Sequence, residues 1–348
     1  MATITLVPQK KKSTNYKIFI KEGLLKGIPK IVQKLHYSKY VIITDTTVKK
    51  LYAKEIAQHM KHEGIATELF SFPTGEKSKH MKTVEQLVEK MLNAHCDRST
   101  CILAVGGGIV GDIAGFTASV FMRGVDFIQV PTTLLAMADS SVGGKTGVNS
   151  RLGKNLIGAF HQPIAVYIDT STLQTLPDNE LKNGYAEVIK QAAIRDKKFF
   201  AYLEKHNQKI LNKDRKKLKK IVAQSVRIKA DIVSRDTKEK GIRMILNYGH
   251  TYGHAIEKAS KYKIQHGYAV SIGMCIINEI AIKEKIMKAK HAERIRCLLE
   301  TAGLPTKLPK HIKRTTLNKL IKFDKKCVNG KQNLIVVPKI GMAAILEK

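Results

Sequence analysis

The sequence contains no tryptophan, only 6% aromatic residues, and 29 acidic side chains against 61 lysines and arginines. Scarce aromatics leave little for stacking unpaired bases, and no nucleic-acid motif is present. The formal charge of +32 therefore does not describe a nucleic-acid binder. The densest basic run, KHNQKILNKDRKKLKK, spaces Leu211, Leu218 and Val222 at i, i+7 and i+11. That is the apolar stripe of an amphipathic helix whose lysines form a solvated outer face. A basic cleft for a small anionic substrate is a second use of the same excess. Cys96, Cys101, Cys275, Cys297 and Cys327 form no C-x-x-C pair and no zinc-ribbon spacing. Their scatter predicts reduced thiols and a cytoplasmic protein. Long apolar runs are also missing. The N-terminus MATITLVPQKKKSTN lacks the core of a signal peptide, and the most apolar run, CILAVGGGIVGDIAGFTASVF, carries Asp112 and five glycines. Neither predicts a membrane span.

What is present is a chain of 348 residues, long enough for two domains. Its first half alternates apolar runs with helical patterns: YVIITD, a helix over 47–61, TELFSF, a helix over 80–94, then CILAV and FIQVP. Such alternation predicts a mostly parallel sheet covered by helices. After Pro177 the spacing predicts helices over 178–195, 214–234, 251–259, 269–286 and 292–302, with NLIVVP and AAILE as a terminal hairpin. The expected architecture is an α/β domain followed by a mostly helical one, with a cleft between them.

CILAVGGGIVGD places glycines at 106, 108 and 111 between a strand and a helix, the context in which a backbone approaches a diphosphate. The order is not the usual one, because the best strand-end acid, Asp45, precedes the glycines instead of following them. Polar loops at 73–79, 131–149 and 153–155 follow other strands and suggest an anion and cofactor floor. In the helical half, GYAEVIKQAAI sets Glu187 and Lys190 one turn apart, NYGHTYGHAIE holds His250 and His254, and HGYAV adds His266. One Glu and two His form a ligand set for catalytic Zn²⁺ with an open position. A surface i,i+3 pair and ordinary polar histidines explain the same spacing.

In order, GGGIVGDIAGF, VPTTLLAMADSSVGGKTGVN, GYAEVIK, NYGHTYGHAIE and HGYAV resemble the motifs of the 3-dehydroquinate synthase family, from about residue 40 to DKK at 324–326. The resemblance implies a Rossmann-like α/β NAD-binding domain over 1–177 and a mostly α-helical metal- and substrate-binding domain over 178–348. It implies that Glu187, His250 and His266 bind Zn²⁺ or Co²⁺. NAD would meet Asp45, Thr74, Gly75, Glu76, Lys77, Ser78, Lys79, Gly108, Ile109, Val110, Gly111, Asp112, Thr132 and Thr133. Lys145, Lys154, Thr172, Leu173, Gln174 and Thr175 would complete that site. An anionic sugar phosphate would meet Lys145, Asn155, Lys190, Lys229, Arg243, Asn247, His254 and Arg123, the last across a homodimer interface. One of Lys325 and Lys326 would join them.

In this reading His250 is a ligand and His254 faces the reacting end, with Gly249 and Gly253 leaving room there. Tyr268 stands where the family commonly has Glu, which puts the orientation of His266 in question. The implied reaction converts 3-deoxy-D-arabino-heptulosonate 7-phosphate to 3-dehydroquinate and phosphate, with NAD reduced and restored within each turnover. Alternatives are another sugar-phosphate cyclase, or a metal-dependent polyol or glycerol-phosphate dehydrogenase that would accumulate NADH.

Overall fold

The computed structural model describes residues 15–322, 327–328 and 331–347. Its first half supplies β1 (Lys17–Ile20), β2 (Lys39–Asp45), β3 (Thr67–Phe72), β4 (Thr100–Gly106), β5 (Phe127–Pro131), the pair β6 (Lys145–Ser150) and β7 (Gly153–Phe160), and β8 (Ala165–Ile168). Six of these form one parallel sheet ordered β1-β8-β5-β4-β2-β3. β4 is buried at every residue and β2 at all but its first, which is why they read as unbroken apolar runs. β1 alternates exposed and half-buried residues on the sheet edge and carries no such signal.

Helices α1 (Ile28–Gln33), α2 (Thr46–Val48) and α3 (Lys54–His62) cover one face, where Val32, Ile56 and Met60 pack with Tyr40 and Ile42. Helices α4 (Met81–Asn93) and α5 (Gly108–Val120) cover the other, where Leu87 and Ile113 pack with Val41 and Ile43. The chain leaves β3 at the edge and re-enters at β4 on the far side of β2. The winding therefore reverses between β2 and β4, the place where open α/β sheets bind ligands at their carboxyl ends. Asp45 closes β2 and the glycine loop follows β4, so the acid and the glycines are neighbours despite their inverted order along the chain.

The second half consists of α6 (Asp178–Arg195), α7 (Lys197–Leu211), α8 (Arg215–Arg235), α9 (His250–Ala259), α10 (His266–Lys283), α11 (Ala289–Thr301) and α12 (Arg314–Lys322), followed by β9 (Cys327–Val328), β10 (Lys331–Lys339) and β11 (Met342–Glu347). β10 and β11 form the expected hairpin, pairing Leu334 with Leu346. Two expectations need correction. The basic run is not one helix: it breaks after Leu211, and Asp214 accepts the Lys217 N–H at 2.9 Å to start α8. Leu218 and Val222 are buried as expected, whereas Leu211 belongs to the preceding helix. Part of the polar loops is the antiparallel hairpin β6–β7, whose glycines 147 and 158 face each other where alternating side chains would have signalled strands.

Candidate active site

Glu187 and Lys190 lie on α6, a helix buried at nearly every residue of its second half, and are 0% and 1% exposed. They are an ion pair in the interior, so the surface-pair reading falls. Contact with Lys190 does not satisfy the carboxylate, because neither Glu187 oxygen makes a hydrogen bond of acceptable geometry. Helices α9 and α10 begin at His250 and His266 and bring Nε2 of each ring to 3.5 Å from Glu187 Oε1. Their three ligand atoms fall within 4.8 Å of one another. A buried carboxylate lacking hydrogen bonds, faced by two imidazole nitrogens, fits a divalent ion with a position left open for substrate.

The helices can meet this closely because two contact points, Gly249 just before α9 and Gly253 within it, carry no side chain. A Cβ on Gly249 would lie 2.9 Å from the Val270 carbonyl, and one on Gly253 3.2 Å from Val270 Cα. The room that these glycines leave is thus filled by α10, not by a ligand. His250 Nδ1 meets the Tyr248 carbonyl at 3.2 Å, and His266 Nδ1 meets Glu257 Oε2 at 3.1 Å. These contacts aim the Nε2 atoms at the shared carboxylate, the outer-shell arrangement typical of metal-ligating histidines.

Glu257, which the sequence reading passed over, therefore answers the question raised by Tyr268. The carboxylate on the rear nitrogen of His266 comes from α9, while Tyr268 packs half-buried beside the helical core. His254, Glu257 and His266 form a second cluster of ligand type, but Glu257 is already engaged there by Lys154 and His266.

Electrostatics bind the cluster together. Burial pushes the Glu187 carboxyl upward, but Lys190 and then His266 outweigh it and hold the pKa at about 2. Burial disfavours the charged form of His266, yet Glu257 and Glu187 outweigh it and raise its pKa to about 10. Glu257 is likewise held at about 2, its burial overcome by His266 and Lys154.

The cations expected to meet substrate gather on this side. Lys229 on α8 lies 2.7 Å from Asp139 Oδ1. Arg243 is 2% exposed and donates to the carbonyls of Thr237 and Gly143. Lys145 pairs with Glu239, whose other oxygen accepts from Asn247 at 2.6 Å. Glu239 was missed because an isolated acid in a polar loop carries no spacing signal. His254 is exposed on α9, its ring 6.0 Å from that of His266. Arg123 is exposed in the turn after α5 and, among the described residues, joins none of these contacts. Lys325 and Lys326 lie outside the described residues.

Most of the residues expected to meet NAD follow the carboxyl ends of β2, β3, β4, β5 and β8, and Lys145 and Lys154 lie on the β6–β7 hairpin. Asp45 accepts from Thr47 and Val48 N–H groups and from Thr74 Oγ1 at 2.9 Å. Gly75 to Lys79 continue from β3, and Lys79 pairs with Asp112, in the second turn of α5 after Gly108, Ile109, Val110 and Gly111. Thr132 is tied to the glycine loop through its N–H to the Gly106 carbonyl, and the Thr133 methyl lies against Gly107. Thr172 donates to the carbonyls of Asp169 and Thr132, and Thr175 meets Tyr52. Leu173 points into the core and Gln174 donates to the Lys213 carbonyl, so their side chains face away from this floor. Lys154 lies between Glu76 and Glu257, beside a cavity of about 270 Å³ that His254 and Tyr262 also line.

Residues 69–183 match the family model described as 3-dehydroquinate synthase N-terminal, and residues 184–327 the model described as 3-dehydroquinate synthase C-terminal. The chain is 43% identical over 341 residues to a protein named 3-dehydroquinate synthase from Prochlorococcus marinus subsp. pastoris, covering 96% of this chain and 94% of that one. It is 41% identical over 331 residues to one so named from Nitrosomonas europaea, covering 95% and 89%. Among solved structures, 2-epi-5-epi-valiolone synthase from Streptomyces hygroscopicus subsp. jinggangensis, with NAD⁺ and Zn²⁺ bound, superposes with a TM-score of 0.91 at 26% identity, covering 99% of this chain and 95% of that one. A 2-deoxy-scyllo-inosose synthase complexed with carbaglucose-6-phosphate, NAD⁺ and Co²⁺ gives 0.83 at 26% identity, covering 95% and 93%.

Proposed function

The chain belongs to the 3-dehydroquinate synthase family, and from that premise we propose how its side chains divide the work. It converts 3-deoxy-D-arabino-heptulosonate 7-phosphate to 3-dehydroquinate and phosphate. Glu187 carries the reading of the site: a fully buried carboxylate without a hydrogen bond, held between two imidazole nitrogens and a buried lysine. When bound there, a divalent ion supplies Lewis acidity toward a substrate hydroxyl, and NAD supplies a reversible hydride acceptor.

The protein's own groups do the rest. Lys145, Lys190, Lys229, Arg243 and Asn247 receive the two anionic ends of the substrate and fix one orientation through the successive steps. Asn155 on β7, which accepts from Lys79, would meet the substrate where the cation cluster adjoins the dinucleotide floor. His254, exposed beside the ligand histidines, exchanges a proton at the reacting end through its imidazole. A site with many cations and few free bases suits an elimination in which the departing phosphate itself takes a proton.

The ligand set suits Zn²⁺, with Co²⁺ as a competent substitute. We place the division near residue 177, where the chain passes from the last strand of the parallel sheet into α6, although the helical cluster also takes in Leu134, Val166 and Ile168. Arg123, exposed between Met122 and a glycine and without a role in its own site, is suited to reach the site of a second copy in a homodimer. Among the described residues four thiols are free and no helix is long and apolar enough to cross a membrane, which accords with the cytoplasmic location we propose.

One incubation tests the function: the heptulosonate phosphate, catalytic NAD⁺, Zn²⁺ and protein. Phosphate and dehydroquinate should form in equal amounts without absorbance from NADH. NADH building up in step with product would indicate a dehydrogenase. Turnover of a sugar phosphate that lacks the carboxylate, with none of the heptulosonate, would indicate another cyclase.

A further inference from the structure

A continuous line of polar contacts runs from α5, just after the glycine loop, to the metal-ligand triad, and the proposed chemistry does not use its step from Lys154 to Glu257. Asp112 of α5 pairs with Lys79, which donates to Asn155 Oδ1. The Asn155 N–H donates to Asn149 at 3.0 Å, and the Asn149 amide donates to Glu76 at 2.7 Å. Glu76 lies 3.6 Å from Nζ of Lys154, which donates to Glu257 Oε1 at 2.9 Å. Glu257 Oε2 meets His266 Nδ1 at 3.1 Å, and the far nitrogen of that ring is 3.5 Å from Glu187. The Glu257 side chain is 2% exposed and that of Lys154 24%, with the Tyr262 ring 4.8 Å from the ammonium, so salt screens this pair poorly.

We infer that Glu257 is a positioning residue for His266 and that Lys154, shared between Glu257 and the dinucleotide, couples cofactor binding to metal binding. The inference rests on the reading above, in which Glu187, His250 and His266 hold the ion and Lys154 meets NAD. Its direction follows from charge. Without dinucleotide, the Lys154 ammonium neutralises Glu257 and adds positive charge close to a site meant for a dication. A dinucleotide that takes Lys154 into its own contacts draws that ammonium away from Glu257. Glu257 then acts on His266 alone, making Nε2 a better donor. Dinucleotide therefore tightens metal binding, and by linkage the metal tightens dinucleotide binding by the same factor. The two residues have opposite effects on the ion: Glu257 favours it and Lys154, in the absence of dinucleotide, opposes it.

Metal-free protein is titrated with Co²⁺, followed by its visible absorption, with and without saturating NAD⁺. Direct NAD⁺ affinity comes from calorimetry. In the wild type, NAD⁺ should tighten Co²⁺ binding roughly fivefold or more. Glu257→Gln should weaken Co²⁺ roughly 10- to 100-fold. Lys154→Met should tighten Co²⁺ in the absence of NAD⁺ and abolish the response to it, and Lys154→Arg should keep that response. A merely structural role would move both the Gln and the Met variant toward weaker binding, and that result overturns the inference. Equal wild-type Co²⁺ affinity with and without NAD⁺ overturns it as well, as does unchanged affinity in Glu257→Gln. A His266→Ala protein that binds Co²⁺ like wild type, or a wild type that binds neither ion nor NAD⁺, instead defeats the reading of the site itself. Should Lys154→Met not fold, the wild-type response and the Gln and Arg variants still decide the matter.

Discussion

Lys190 is the residue on which the folding cost of this site turns. It faces Glu187 in an interior where both are essentially inaccessible, and removing one member of such a pair leaves a buried charge uncompensated. Lys190→Met should therefore lower the stability of the metal-free protein by about 3 kcal/mol or more in urea titration. Zn²⁺ should restore part of that loss by giving the carboxylate another cation. The two histidines of α9 should separate in a different assay. His250→Ala is expected to lose bound metal and activity together when metal content is measured after dialysis. His254→Ala should keep its metal yet release phosphate roughly 100-fold or more slowly, the usual effect of losing a proton-transfer group.

At the scale of elements, the site depends on segments whose shape is set by single side chains. Asp236 accepts the N–H groups of Lys240, Gly241 and Arg243, folding the turn after α8 so that Arg243 and Glu239 reach the cation cluster. Desolvation is the largest single influence and raises the Asp236 pKa, but the N–H donors together outweigh it, so the net shift is downward. A carboxylate with a depressed folded pKa lends stability that is complete above its unfolded pKa of about 4 and fades as pH drops through the folded value. Amide exchange at Gly241 and Arg243 should be protected above about pH 4 and lose protection below it. Asp236→Asn should show little protection at any pH; equal protection in both proteins would refute this role. Asp214 acts similarly at the start of α8, turning an apparently continuous basic helix into two.

The whole molecule combines an anion-binding crevice with a very large positive charge. Its cores are not separate: the helical cluster includes Leu134, Val166 and Ile168 from the sheet half, so the crevice walls share packing. Lys216, Lys219 and Lys220 lie exposed on α8, opposite buried Leu218 and Ile221, consistent with a solvated face. A formal charge of +32 still repels itself and draws anions from a distance. Raising salt from about 0.01 M to about 0.15 M shortens the screening length from about 30 Å to about 8 Å. Over that range the melting temperature should rise as self-repulsion is screened, while kcat/KM for the anionic substrate should fall. Scanning calorimetry and initial rates would show both, and a salt-independent kcat/KM would exclude long-range steering.

The sequence by itself determined the periodic features: strands β2 to β5, the helix that carries Glu187, the bodies of α9 and α10 short of the first residues His250 and His266, and the terminal hairpin. Each buries an unbroken apolar run or a helical stripe, and burial on that scale leaves a local pattern. Its motifs also sufficed to indicate the family. Only the tertiary structure decided what depends on neighbours distant in the chain. It set Asp45 beside glycines that follow it by some sixty residues, because strand order is a matter of packing. It buried Lys190, gave the space beside Gly249 and Gly253 to α10, and paired β6 with β7 where glycine had erased the alternation. It brought Glu257 to His266 and Lys154, since hydrogen bonds between side chains on separate elements leave no period to read.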